Sequence, residues 1–93
     1  MGKYFVDVTD EAKKHLALIH KSGDKSSISK VEKILEELSE HPETGTGKPE
    51  RLKYSWIGYW SRRINKKDRL VYKIEDEVIT VTVVSAIKHY GDK

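Results

Sequence analysis

The first forty residues show two hydrophobic periods in succession. Residues 3–8 (KYFVDV) alternate apolar and polar side chains, which predicts a short β-strand. Thr9 or Asp10 can then cap a helix, and Gly23 is suited to end it. The apolar positions between them recur at helical spacing and are Ala12, Leu16 and Ile19. The pattern therefore predicts a strand followed directly by an amphipathic helix.

A second helix is predicted from about residue 26 until Pro42, which cannot continue a helix. Ser29 and Glu32 have the spacing of a capping box. The apolar stripe of this helix comprises Ile28, Val31, Leu35 and Leu38. The two helices are expected to pack as an antiparallel pair, and the Gly- and Pro-rich residues 42–50 are expected to form a loop.

Beyond residue 50 the helical period gives way to short segments rich in β-branched and aromatic residues. The predicted strands are RLKY (51–54), YWSRRI (59–64), DRLVYKI (68–74) and EVITVTVVSAI (77–87). This order, β-α-α-β-β-β, predicts an α+β fold with a helical hairpin on one face of a twisted, mainly antiparallel sheet of four to five strands. Residues 1–93 are expected to form one domain, in which a tail of residues 88–93 follows the strands 51–87.

The apolar positions of the two central strands predict how those strands pair. They are Trp60 and Ile64 on one strand and Leu70, Tyr72 and Ile74 on the next. Both sets face one core only if the connecting loop has three or five residues. Arg63 and Arg69 then project together from the helix-free face. Arg62 lies at the same two-residue spacing as the core-facing Trp60 and Ile64. We therefore expect it at the edge of the sheet or with its charge extended to solvent.

Charge is concentrated in this half of the chain. The net charge is +3, divided into −2 for residues 1–50, +7 for residues 51–73 and −2 for residues 74–93. Such a basic block predicts a site for phosphate or another polyanion, although a solvated hairpin face would have the same composition. The chain contains no cysteine and no apolar run typical of a signal peptide or membrane helix, so a soluble cytoplasmic protein is expected.

Several groups suited to RNA transesterification lie around the basic block. Glu50 precedes it, Lys53 lies within it, and His89 and Tyr90 follow the last predicted strand. A carboxylate can take the proton of a 2′-hydroxyl, cations can hold the phosphate, and an imidazole can protonate the departing 5′-oxygen. This chemistry requires no metal or other cofactor. The remaining histidines, His15, His20 and His41, lack metal-ligand spacing and are expected at the surface.

A longer motif extends this interpretation. Residues 45–74 (GTGKPERLKYSWIGYWSRRINKKDRLVYKI) and the later His89-Tyr90 closely resemble the YoeB-type toxins of the RelE/ParE superfamily. The resemblance implies a RelE-like fold, similar to microbial ribonucleases, and a toxin that binds the ribosomal A site and cuts mRNA there. Some YoeB-type chains end at the tyrosine, whereas Gly91, Asp92 and Lys93 follow here.

The same resemblance implies roles for individual residues. Glu50 would be the general base and His89 the general acid, while Arg69 would stabilise the phosphate. Lys53 and Arg63 would hold the phosphate, Tyr90 would help to place the substrate, and Lys48 and Arg62 would grip ribosomal RNA.

The resemblance also implies partners. These are the ribosome, mRNA and a cognate antitoxin whose acidic, partly disordered C-terminal segment masks the basic face. No membrane partner is expected. The aromatic cluster around Trp56, Tyr59 and Trp60 is a candidate homodimer interface.

Two other functions fit the same basic α+β domain. A ParE-like toxin would inhibit DNA gyrase by binding and would need neither Glu50 nor His89. A non-catalytic RNA-binding module would need only the basic face.

Overall fold

The computed structural model describes residues 3–87, which form a five-stranded sheet and two helices. The elements are β1 (Phe5–Val8), α1 (Asp10–Lys21), α2 (Lys25–Leu38), β2 (Glu50–Arg51), β3 (Tyr59–Arg63), β4 (Arg69–Glu75) and β5 (Thr80–Ser85). The strand order is β1-β5-β4-β3-β2, with β1 parallel to β5 and the other neighbours antiparallel. The predicted α+β fold is confirmed. Neither of these helices has the length and apolar character needed to cross a membrane.

The hydrophobic core lies between the helices and one face of the sheet. Its main buried residues are Ala12, Ile19, Val31, Ile34 and Leu38 from the helices and Leu70, Tyr72, Val81 and Val83 from the strands. The buried residues of β5 alternate with less buried ones, as expected for a strand with one face on the core. The periods read from the sequence therefore identify the core-facing side of most elements.

The pairing of β3 with β4 follows the predicted register. Trp60 lies opposite Tyr72, Arg62 lies opposite Leu70, and a five-residue loop, 64–68, connects the strands. Arg63 lies opposite Arg69, so these two side chains belong to the face away from the helices. A one-residue slip would have exchanged the two faces, which explains why the apolar parity was sufficient to predict the register.

The start of α2 differs from the prediction. Asp24 is the N-cap residue, and its carboxylate accepts hydrogen bonds from the amide and the hydroxyl of Ser27. The helix therefore begins at Lys25, and the predicted capping box at Ser29 is wrong because the chain is already helical there. Gly23 has a φ of +76°, which suits a glycine after a helix end and allows the short connection from α1.

Two of the later strands are shorter than predicted. Tyr54 has a φ of 60°, and residues Tyr54–Trp56 form a 3₁₀ turn, so β2 ends at Arg51. Ile79 has a φ of 49° after a second 3₁₀ turn, so β5 begins only at Thr80. Left-handed backbone is incompatible with a regular ladder, and the hydrophobic pattern does not reveal it.

Arg62 is completely buried, and the prediction that it lies at the edge of the sheet or extends to solvent is wrong. Its guanidinium group makes five hydrogen bonds, equal to its number of N–H donors. Their acceptors are Glu37 Oε1 (2.7 Å), the Tyr72 hydroxyl (3.2 Å) and the backbone carbonyls of His41 (2.8 Å), Thr44 (2.8 Å) and Thr46 (3.3 Å). Full pairing explains how the core accommodates this charge.

The partners of Arg62 bind the 42–50 loop as well. Glu37 accepts hydrogen bonds from the amide and the hydroxyl of Thr46, both at 2.8 Å. The Tyr72 hydroxyl donates to the Pro42 carbonyl at 2.6 Å. This cluster, Arg62 with Glu37 and Tyr72, thus ties the start of the Gly- and Pro-rich loop to α2 and to the sheet. We call it the arginine cluster.

Loss of Arg62 is expected to destabilise the fold strongly. Arg62→Met removes the charged partner of the half-buried Glu37 carboxylate and the donor to three backbone carbonyls, which should lower the free energy of unfolding by about 3–5 kcal/mol. The neighbouring substitution Arg63→Met, on an exposed side chain, should cost less than about 0.5–1 kcal/mol. Urea unfolding of the two variants measures this difference, and similar losses would contradict the role assigned to the arginine cluster.

Acid should weaken the same cluster. Burial alone would raise the pKa of Glu37, but the Thr46 hydrogen bonds and Arg62 outweigh it and hold the pKa below its ordinary value of 4.5. This carboxylate therefore contributes stability above its unfolded-state pKa, and the contribution is lost as pH falls through the lower folded-state value. Glu37→Gln should be less stable than wild type at pH 7, with a gap that narrows in acid. Urea unfolding midpoints of both proteins between pH 7 and pH 3 measure this difference in stability. A difference that does not change with pH would refute the role assigned to the Glu37 carboxylate.

Candidate active site

The second half of the loop is fixed by a close approach to β3. The Gly47 carbonyl accepts a hydrogen bond from the Arg63 amide at 2.7 Å, and Gly47 has a φ of +85°. A Cβ atom at this position would lie 2.8 Å from the Arg63 carbonyl oxygen, so a side chain is excluded on both counts. Lys48 follows with a φ of 53°, and this turn directs the chain into β2 at Glu50.

Four residues form a row across the sheet at the level where β2 begins. Glu50 lies opposite Ser61, Ser61 lies opposite Val71, and Val71 lies opposite Ser85. Ser61 alternates with the core residues of β3, so it faces away from the helices and Glu50 shares its face. The row thus places an acidic side chain on the helix-free face of a basic hairpin.

Arg69 completes this arrangement. Its Nη1 atom lies 3.5 Å from Glu50 Oε1 and 3.4 Å from Ser61 Oγ. Only 15% of the Arg69 side chain is exposed, whereas 63% of the Glu50 side chain is exposed. The Glu50 carboxylate is therefore accessible to a substrate, while the arginine beside it is held in place.

One donor of Arg69 is left without a protein partner. Within residues 3–87, Arg69 Nε is the buried side-chain nitrogen or oxygen that lacks a hydrogen bond. An unsatisfied buried donor is costly and rare in native structures. The exposed 15% of the Arg69 side chain is what a phosphate beside Glu50 would contact, because guanidinium groups form strong hydrogen bonds to phosphate.

The other predicted site residues are distributed unevenly. Arg63 is exposed and lies opposite Arg69, which extends the positive charge of the site. Lys48 and Lys53 are exposed at the entry to β2 and beyond its exit. His89 and Tyr90 lie outside the described residues. Arg62 is the exception, because a side chain with no exposed surface cannot grip ribosomal RNA, and that predicted role is wrong.

Three features of this region add to what the sequence indicated. Ser61 is a site residue because it lies opposite Glu50, a pairing that no local pattern specifies. The Trp56 and Tyr59 rings pack edge to face with centroids 5.1 Å apart. His15 is half-buried rather than at the surface, since its Nδ1 atom accepts a hydrogen bond from the Ala86 amide at 3.2 Å. Helix α1 thereby contacts the end of the described chain.

The described side chains offer no site for a metal ion. Among residues 3–87, no group of three or more His, Asp or Glu side chains is arranged to hold one. The chemistry available in this part of the chain is that of a carboxylate, a hydroxyl and several cations.

Comparison with known proteins gives one consistent relationship. The family described as the YoeB-like toxin of bacterial type II toxin–antitoxin systems matches residues 9–90. Toxin YoeB of Synechocystis is 38% identical over 76 residues, covering 82% of this chain and 86% of the relative.

Solved structures share the fold. A YoeB/ParE toxin from Agrobacterium tumefaciens superposes with a TM-score of 0.82 at 28% identity, covering 92% of this chain and 99% of its own. YoeB from Staphylococcus aureus has been solved as a dimer, with a TM-score of 0.78, 30% identity and coverage of 95% and 99%. It has also been solved as a complex with YefM, with a TM-score of 0.75, 30% identity and coverage of 94% and 98%.

The geometry predicts that inorganic phosphate binds beside Arg69. Phosphate at about ten times its Kd should raise the free energy of unfolding by about 1.4 kcal/mol. Arg69→Met should abolish this effect, and Glu50→Gln should enhance it by removing the competing carboxylate. Arg51→Met also removes one positive charge and is the control. The Arg51 guanidinium lies over the Trp60 ring, 5.4 Å from the ring centroid, and not against Glu50. Thermal unfolding at constant ionic strength measures each shift, and equal shifts in all four proteins would rule out the site.

Proposed function

The chain belongs to the family of YoeB-like toxins of bacterial type II toxin–antitoxin systems, and we propose that it is a ribosome-dependent endoribonuclease that cuts mRNA in the A site. The observation that carries this proposal is the approach of Glu50 to Arg69 on the helix-free face of the sheet. The two residues come from different strands and combine a proton acceptor with a phosphate-binding group. Cleavage of the message would inhibit translation, which accounts for toxicity.

The proposed reaction is a transesterification within the RNA. Glu50 takes the proton of a 2′-hydroxyl, and the resulting oxygen attacks the adjacent phosphorus. The bond from phosphorus to the 5′-oxygen breaks, His89 protonates that oxygen, and a 2′,3′-cyclic phosphate remains on the upstream fragment. Positioned acid and base groups each contribute about 10²–10⁴-fold to such a reaction.

The cations stabilise the charge that develops on the phosphate. Arg69 is held in place by Ser61 and Glu50 and has an unused donor at Nε. In the proposed site, Arg63 and Lys53 hold the phosphate from the exposed side, and Tyr90 helps to place the substrate. Lys48, exposed before β2, is assigned to ribosomal RNA. Preorganised cations of this kind lower the barrier without any metal ion.

The expected partners follow from charge and from the relatives. Staphylococcus aureus YoeB forms a complex with YefM, so a cognate antitoxin is proposed here as well. An acidic, partly disordered C-terminal segment of that antitoxin would complement the basic face. The proposed action on ribosomes implies a cytoplasmic location for the protein.

A homodimer is also proposed, because Staphylococcus aureus YoeB has been solved as one. The predicted aromatic cluster around Trp56, Tyr59 and Trp60 stays a candidate interface, and Trp60 is partly buried against the core. Tyr54 and Ile57 are each 75% exposed on the adjoining turn and offer apolar surface for it.

Cleavage of a short message on purified ribosomes tests the function. Wild-type protein should cut within the A-site codon, and Glu50→Gln and His89→Ala should each reduce the rate at least about 100-fold. Glu43→Gln removes a matched exposed charge from the same loop and should leave the rate unchanged. Mapping the 3′ ends of the products locates the cut.

The other two candidate functions predict different results. A gyrase inhibitor of the ParE type would leave the message intact, and its toxicity would survive loss of Glu50. An RNA-binding module would bind the message without cutting it.

A further inference from the structure

A cavity of about 340 Å³ has an aromatic side and a polar side. Its lining residues are Glu11, Trp56, Tyr59, Val84 and Ser85. The half-buried Trp56 and Tyr59 rings, packed edge to face, supply the aromatic side. The Glu11 carboxylate, from the first turn of α1, and the Ser85 hydroxyl supply the polar side. The mechanism proposed above uses none of these groups.

Strand pairing places this cavity beside the proposed catalytic groups. Ser85 ends the row that begins at Glu50. Tyr59 lies two residues before Ser61 on β3 and shares its face, a separation of about 7 Å along the strand. A phosphate at Glu50 and Arg69 would therefore have the cavity within reach of a neighbouring base.

The lining chemistry suits a nucleobase. Aromatic side chains stack on bases, and this stacking is the usual way in which proteins hold unpaired nucleotides. The Glu11 carboxylate lies 3.8 Å from His15 Nε2, and 67% of its side chain is exposed and accessible to a ligand. A carboxylate would repel a phosphate group, so the polar side of the cavity favours the base over the backbone of RNA.

The carboxylate also distinguishes between the four bases. An ionised carboxylate can only accept hydrogen bonds. Guanine presents two adjacent donors, N1–H and the 2-amino group, on its Watson–Crick edge. On the same edge of adenine, cytosine and uracil, every donor is flanked by an acceptor, which would face a carboxylate oxygen. A bidentate contact with Glu11 is therefore available to guanine alone.

We propose that the cavity between Glu11 and the Trp56–Tyr59 pair binds a guanine base of the RNA next to the cleaved phosphate. The inference rests on the proposed nuclease function and adds a base preference to it. Lys73 lies opposite Tyr59 and is half-buried, with its ammonium group 3.9 Å from Glu75. It provides a cation on the same face for the backbone of that nucleotide.

Binding of the four ribonucleoside 5′-monophosphates to the intact chain tests the proposal without the ribosome. Isothermal titration should show guanosine 5′-monophosphate binding at least about tenfold more tightly than the other three. Glu11→Gln should remove this preference. Asp10→Asn makes the same charge change one residue earlier on α1, outside the cavity lining, and should preserve it. Far-ultraviolet circular dichroism verifies that each variant is folded.

Equal affinity for the four nucleotides, or a preference that survives Glu11→Gln, would overturn the base site. So would a dimer, detected by sedimentation, that binds none of the four nucleotides. Cleavage on the ribosome with no guanosine preference would reject the inference and leave the nuclease standing. Guanosine binding with an intact message would support the base site and reject the nuclease.

Discussion

The buried ion pair between Arg62 and Glu37 is the interaction on which the rest of the structure depends. A charged guanidinium is costly in a core unless all its donors are paired. Here the acceptors besides the Glu37 carboxylate and the Tyr72 hydroxyl are backbone carbonyls of residues 41–46, in and just before the loop. The loop must therefore adopt one path for the charge to be tolerated. The glycine and proline content of the 42–50 loop is typical of a turn-rich, variable segment. Its hydrogen bonds to the Arg62 guanidinium hold it in one conformation.

The same strand carries this constraint to the site. Arg62 and Arg63 are adjacent, and the two-residue period of a strand sends their side chains to opposite faces. One is buried in the arginine cluster, and the other adds to the charge around Arg69. The Arg63 amide also holds Gly47, two residues before the proline that precedes Glu50. Core and site are thus coupled through three consecutive residues of β3, Ser61 to Arg63.

Much of this architecture could be predicted from local patterns. The parity of apolar residues predicted the β3–β4 register, and the motif from Gly45 to Ile74 predicted the family. The pattern could not predict that Arg62 is buried, because its partner Glu37 lies on a helix 25 residues away and looks like any exposed acid. The end of β2 and the start of β5 depend on left-handed residues, Tyr54 and Ile79, which no propensity favours. Ser61 became a site residue only through pairing with the two-residue β2.

The geometry of the site bears on why the proposed enzyme would need the ribosome. Glu50 is largely exposed, and its contact with Arg69 is long, so water competes for the carboxylate in the free protein. Electrostatic stabilisation of a phosphate is strong only where water is excluded. The described residues supply a floor, formed by the row from Glu50 to Ser85, but no cover above the Glu50 carboxylate. Groups outside this floor would have to exclude water from the Glu50 carboxylate, and in the proposed function the bound ribosome and message are such groups.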